Sequence, residues 1–207
     1  TIHEDSNVFN IAIEGNFDDC QNLVKAMFND EKFSKTINMS GVNSINWARI
    51  IAQAVYYFYA YFKVENGQPI SFSVPTGNFG DIYAGYLAKK LGLPIDKLIV
   101  ATNKNDILHR AISGGDYTQK KVEETNTPSM DIQIASNFER LLYDVKDCNS
   151  EVTKDVMSKI KNNTYKIDKS DLDEIKKNFT SEMLDENETV EMIKTINDEH
   201  QMVVDPH

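Results

Sequence analysis

Hydrophobic and polar positions along the chain fall into two periods. Val8-Phe9-Asn10-Ile11-Ala12-Ile13-Glu14-Gly15 alternates imperfectly at period two and predicts a strand. Phe17-Asp18-Asp19-Cys20 then opens a helix, with acids in the first turn where the helix dipole favours them. Leu23, Val24, Met27 and Phe28 give that helix an apolar face. Residues 29–43 are polar and broken, and read as a loop or linker. Asn43-Ser44 can cap a helix over 45–63, where Ala48, Ile51, Ala52, Val55, Tyr59 and Phe62 recur at spacings of three and four. Glu65-Asn66-Gly67 ends it.

Ile70, Phe72 and Val74 alternate with serines and predict a second strand, followed by a loop over Pro75–Gly80. Asp81–Leu91 predicts a helix with Ile82, Tyr83, Tyr86 and Leu87 on one side, closed by Gly92. Leu98–Ala101 is a buried strand. Residues 70–102 therefore form a strand–helix–strand unit, which requires a parallel sheet with a right-handed crossover. Asp106–Ser113 predicts a short helix ended by Gly114-Gly115, and Met130, Ile132 and Ile134 alternate as another strand. Ser136-Asn137-Phe138-Glu139 has the spacing of a capping box, so a helix starts there. Beyond 149 the sequence is polar, with amphipathic helices over 151–161, 170–179 and 186–198. Val203-Val204 returns to an apolar strand pattern that runs into a turn. The class is α/β, without internal repeats.

Composition narrows the function classes. The 207 residues are 41% hydrophobic and 26% charged, with a formal net charge of -10. So much negative charge disfavours nucleic acid or an acidic membrane as the main partner, but leaves room for a local basic site that takes a small anion. Cys20 and Cys148 alone make neither a disulfide framework nor a metal cluster, and a reducing cytoplasm is the simplest setting. No apolar run spans a bilayer, and no signal peptide opens the chain. The four histidines are scattered, and no pair has metal-ligand spacing.

Three stretches can carry chemistry. Ser73–Asp81 runs from strand through a glycine loop into a helix. Unpaired N–H groups and the helix dipole make such a loop a phosphate cradle. Its Gly77 and Gly80 would let the backbone approach an anion, at positive φ if the turn requires it. As a bare Gly-x-x-Gly, the stretch is equally a tight turn that binds nothing. On the preceding helix, Asn46 and Arg49 share a face that Gln53 continues; an arginine there offers a planar fork to phosphate or carboxylate, or covers apolar surface with its stem. At Ser136–Arg140 the capping box explains the residues structurally, although a helix start directly after a strand is where α/β sheets bind ligands.

Taken together, these segments resemble the threonine synthase family of bacteria and fungi. The resemblance rests on Ile13–Gln21, Asn43–Ile50, Pro75–Gly85, Ala101–Asp106, Ser136–Arg140 and Asp205-Pro206-His207, which occur in the family's order. It implies the large domain of a fold-type-II pyridoxal-phosphate enzyme, a parallel-sheet three-layer sandwich over 39–207, with a partial smaller α/β domain over 1–38. It also implies the conversion of O-phospho-L-homoserine and water to L-threonine and phosphate, with pyridoxal 5'-phosphate as cofactor. The cofactor phosphate would fall on Gly77, Asn78, Phe79 and Gly80, with Asp81 adjoining. Ser44, Asn46, Arg49, Ser136 and Asn137 would lie near the substrate. By the same resemblance the Schiff-base lysine lies upstream of Thr1. The chain is then a central fragment of a cytoplasmic monomer or homodimer, has no catalytic residue of its own and is inactive alone. A phospholyase or amino-acid dehydratase of the same fold, or a non-catalytic domain that keeps it, are the alternatives.

Overall fold

Among the described residues three strands pair in one parallel sheet, in the order β1 (Ile70–Pro75), β2 (Ile95–Thr102), β3 (Phe179–Met183). The structure is a computed structural model and describes residues 5–15, 17–41, 43–44, 46–64, 67–163 and 165–207. The chain divides into two compact units, Thr1–Gly41 and Val42–His207.

The first unit holds α1 (Phe17–Asn29) and α2 (Glu31–Thr36). Helix α2 lies in the stretch expected to be a loop. It starts because the Asp30 carboxylate accepts the Phe33 N–H at 3.0 Å, a cap that the scarcity of apolar residues conceals in sequence. The strand expected over 8–15 is not formed. No ladder partner stands beside it among the described residues, and Phe9 and Ile11 are both 80% exposed. Asn16 and the side chains of Phe17, Asp18 and Gln21, part of the motif noted above, lie outside the described residues.

The second unit contains α3 (Trp47–Val64), α4 (Gly80–Lys90), α5 (Ile107–Gly114), α6 (Phe138–Val145), α7 (Ser150–Lys161), α8 (Lys169–Asn178) and α9 (Glu186–His200). The expected β1–α4–β2 unit is present. Helix α3 is capped by Asn46, whose Oδ1 accepts the Ala48 N–H at 2.9 Å, rather than by Asn43-Ser44. Its expected terminator, Glu65-Asn66, lies outside the described residues.

The core lies on one face of the sheet. Phe72, Val74, Leu98, Val100 and Phe179 share that face by alternation and register. Tyr57 of α3 meets Phe72 edge-on at 5.0 Å, and Tyr86 of α4 lies 5.4 Å from Phe179. Helix α5 meets the same face, where Ser181 Oγ donates to the His109 carbonyl. The opposite face carries Ser71, Ser73, Thr180 and Glu182, all exposed. Among the described residues no helix is long and apolar enough to cross a membrane.

The buried side of α3 differs from the expected one. Ile50, Ala54, Tyr57 and Tyr61 are buried, whereas Ile51, Val55, Tyr59 and Phe62 are exposed. The helix is apolar nearly all round, so periodicity alone does not select a face. Gly85 of α4 fixes the choice. A Cβ there would stand 2.5 Å from Tyr57 Cε1 and 2.9 Å from Leu98 Cδ2, so its hydrogen is what lets α3 seat on α4. Gly85→Ala is expected to cost about 2–3 kcal/mol by overpacking, read as a lowered urea midpoint at unchanged m-value.

Strand β3 is not announced by the sequence: the helix expected over 170–179 overlaps only its first residue, Phe179. Only Phe179 and Met183 are apolar in Phe179–Met183, and the strand exists because β2 offers it a ladder, with Leu98 opposite Phe179. Conversely, Met130–Ile134 is not a strand. Pro128–Met130 forms a 3-10 turn, Ile134 is half exposed, and the stretch finds no ladder among the described residues. The Val203-Val204 pattern forms no strand either. The capping box expected at Ser136 is absent, because Asn137 occupies the cap position and spends its side chain elsewhere. A complete one, Asp185 with Glu188, starts α9.

Candidate functional site: an anion cradle at the start of α4

The loop between β1 and α4 opens into a cavity of about 340 Å³, lined by Ser44, Arg49, Gln53, Pro75, Thr76, Gly77, Asn78, Phe79, Gly80, Asp81, Ser129, Met130 and His207. The position follows from topology, because it lies beyond the carboxyl ends of parallel strands, where open α/β sheets bind ligands.

The loop's conformation comes from Phe79, not from its glycines. Phe79 sits at φ 63°, ψ 11°, a left-handed conformation that costs a bulky residue about 1–2 kcal/mol. Its ring is fully buried, 5.2 Å from Phe138 and 5.5 Å from Phe179, and that packing holds the strained residue in place. The turn does not require positive φ of Gly77 or Gly80, and neither has it. They are glycines because a Cβ on Gly77 would lie 3.1 Å from the Ser129 carbonyl oxygen and 3.2 Å from Met130 Cα, and one on Gly80 would lie 3.3 Å from Asn137 Nδ2. Among the described residues, the main-chain N–H groups of Gly77, Asn78, Phe79 and Gly80 have no hydrogen-bond partner. Four open donors at the positive end of a helix dipole form an anion nest.

Two side chains set the charge of this cradle. The Arg49 side chain, exposed on α3, reaches the cavity wall, and its guanidinium has no hydrogen-bond or ion-pair partner among the described residues. Asp81 stands opposite in sign. Burial raises its pKa while the Tyr57 hydroxyl works the other way, and its Oδ1 is buried without a partner. The Tyr57 hydroxyl donates to the Asp81 main-chain carbonyl at 3.0 Å. Burial first, then the Asp81 carboxylate, raises the phenol's pKa, so it stays a donor.

Not every residue singled out from sequence lines the cavity. Ser44, Arg49 and Gly77–Asp81 do; Asn46, Ser136 and Asn137 do not. Asn46 caps α3. Asn137, fully buried, donates from Nδ2 to the carbonyls of Ser44 (2.9 Å) and Asn78 (3.2 Å), while its main-chain N–H also reaches Asn78. Its Oδ1 accepts from Arg140 Nε at 3.0 Å, and Arg140 in turn lies over the Trp47 ring. Asn137 thus ties the start of α6 to the loop and to the approach to α3. Ser129, Met130 and His207 were not singled out as site residues. The first two arrive on the 3-10 turn, which no periodicity announces, and His207 is oriented by Asp205 at 2.8 Å.

No family model matches the chain. The pyridoxal-phosphate-bound threonine synthase of Brucella melitensis superposes with a TM-score of 0.87 and 48% identity, covering 94% of this chain and 42% of that one. Fold and site together define an α/β domain of the fold-type-II architecture. Among curated sequences, the threonine synthase of Pseudomonas aeruginosa is 47% identical over 205 residues, 97% of this chain and 43% of the relative. That of Saccharomyces cerevisiae is 46% identical over 224 residues, 98% of this chain and 43% of the relative. The chain belongs to the threonine synthase family, and it spans less than half the length of these relatives.

Proposed function

We propose that the chain is the central part of a threonine synthase of the bacterial and fungal type. The polypeptide to which it belongs converts O-phospho-L-homoserine and water to L-threonine and phosphate in the cytoplasm. Bound pyridoxal 5'-phosphate would act as an electron sink for carbanions at the substrate's α and β carbons, allowing phosphate to leave and water to add. The observation that carries this reading is the open N–H nest of Gly77–Gly80 facing Arg49 across one cavity, in a chain 46–47% identical to threonine synthases. The nest fits a phosphate monoester: four donors and a helix dipole match its charge.

In this reading Gly77, Asn78, Phe79 and Gly80 hold the cofactor phosphate through their main chain, and Asp81 adjoins it. Arg49, with Ser44, receives the substrate's phosphate. Asn46, Ser136 and Asn137 act from outside the cavity, Asn137 by pinning the Asn78 carbonyl so that the loop's N–H groups face inward. The cofactor-bearing lysine lies upstream of Thr1, and the chain by itself is inactive. Residues 1–38 belong to a smaller domain. The bare sheet face and the exposed apolar side of α3 support a larger parent, because parallel sheets are ordinarily covered on both faces. The test is a full-length preparation loaded with pyridoxal phosphate. Phosphate release from O-phospho-L-homoserine with stoichiometric threonine is expected. Deamination of serine or threonine without threonine formation would point to a dehydratase instead.

A further inference from the structure

One wall of the cavity is the anion loop. The other, the turn at Pro128–Met130, is held by buried polar side chains. Asn103, Asn105, Thr127 and Gln133 are between 2% and 7% exposed. Asp131 is the hub. Its Oδ1 accepts from Asn103 Nδ2 (2.8 Å), Asn105 Nδ2 (2.9 Å) and Thr125 Oγ1 (2.7 Å), and its Oδ2 accepts the Thr125 main-chain N–H (2.9 Å). Asn103 Nδ2 also reaches Thr127 Oγ1 at 2.8 Å, and Asn105 exchanges two 2.9 Å bonds with the main chain of Glu123. The carboxylate thereby closes residues 125–131 into a loop and fastens it to the end of β2. At the tip of that loop, the Ser129 carbonyl and Met130 Cα press on Gly77 so closely that even a methyl group would crowd them. The hub itself is half-buried, but four bonds converge on its carboxylate from buried or half-buried partners; a network so densely connected is rigid, so the spacing of the two walls is set by Asp131's partners.

We propose that Asp131, acting with Asn103 and Thr125, is a positioning residue for the anion cavity. It touches no ligand, but fixes the 128–130 turn against Gly77 and so sets the width of the phosphate cradle. The inference rests on the proposed function only for the identity of the anion.

The experiment uses the full-length protein with four variants: Thr125→Val, Asp131→Asn, Gly77→Ala, and Thr125→Val with Gly77→Ala. Thr125→Val keeps the side chain's shape and removes its hydroxyl, and serves alone should Asp131→Asn fail to fold. The readouts are pyridoxal phosphate and inorganic phosphate affinity by titration of the apoprotein, KM and kcat for O-phospho-L-homoserine, and melting temperature. Displacing one wall should weaken affinity for both anions and raise KM on the order of tenfold or more, with kcat changed least. Gly77→Ala should cost less in the Thr125→Val background than alone, because a released turn can yield to the added methyl. Strictly additive effects, or a lowered melting temperature with unchanged affinities and KM, would overturn the proposal. A wild-type protein that binds inorganic phosphate but makes no threonine would sink the functional reading instead. The coupling between Thr125 and Gly77 would still be read from phosphate affinity.

Discussion

Arg49→Lys in the full-length enzyme is expected to lower kcat/KM for O-phospho-L-homoserine by about 2–4 kcal/mol, with little change in melting temperature. Among the described residues the Arg49 guanidinium has no ionic partner where it reaches the cavity, so it is available to an incoming dianion. Lysine keeps the charge but loses the planar fork that engages two phosphate oxygens at once. The exposed position on α3 predicts that stability is spared. Steady-state kinetics beside thermal melts separate the outcomes. Full activity with a lowered melting temperature would mean that the arginine only covers apolar surface with its stem.

Gly77→Val is expected to weaken pyridoxal phosphate binding roughly a hundredfold, a misplacement effect, while costing only about 1–3 kcal/mol in stability. Valine adds branches beyond the Cβ that already stands 3.1 Å from the Ser129 carbonyl and 3.2 Å from Met130 Cα, both main-chain atoms that cannot rotate away. Relief requires the loop and the turn to part, which swings the N–H groups of the nest off target. Cofactor titration and urea unfolding of the same preparation check this. A folded variant with wild-type affinity would reduce the loop to a turn.

Much of the cavity's lining is legible from sequence because its parts are local. A strand, a glycine loop and a helix start within Ser73–Asp81 determine where unpaired N–H groups must point. The reason for the glycines is less legible: sequence suggests close approach of the backbone to an anion, but the pressure on Gly77 comes from Ser129 and Met130, which are distant in sequence. The buried face of α3 was misread for a similar reason. On a helix apolar nearly all round, the face is chosen by Gly85 on another element. Strand β3 escaped because its ladder is supplied by β2, and the run at Met130–Ile134 misled because no ladder meets it. Short-range chemistry reads directly, whereas features that a distant partner decides do not.

The sheet order also has a consequence in time. β2 ends at Thr102, and its neighbour on one side, β3, begins only at Phe179. At translation rates of about 5–20 residues per second, the nascent chain carries that hydrophobic edge without its mate for roughly 4–15 seconds. Closing so long a loop is entropically slow, and an unmated edge of Leu98, Ile99 and Val100 is a template for pairing with other chains. During synthesis, then, the strand that supports the anion loop is also a point of aggregation risk, until Phe179 docks beside Leu98.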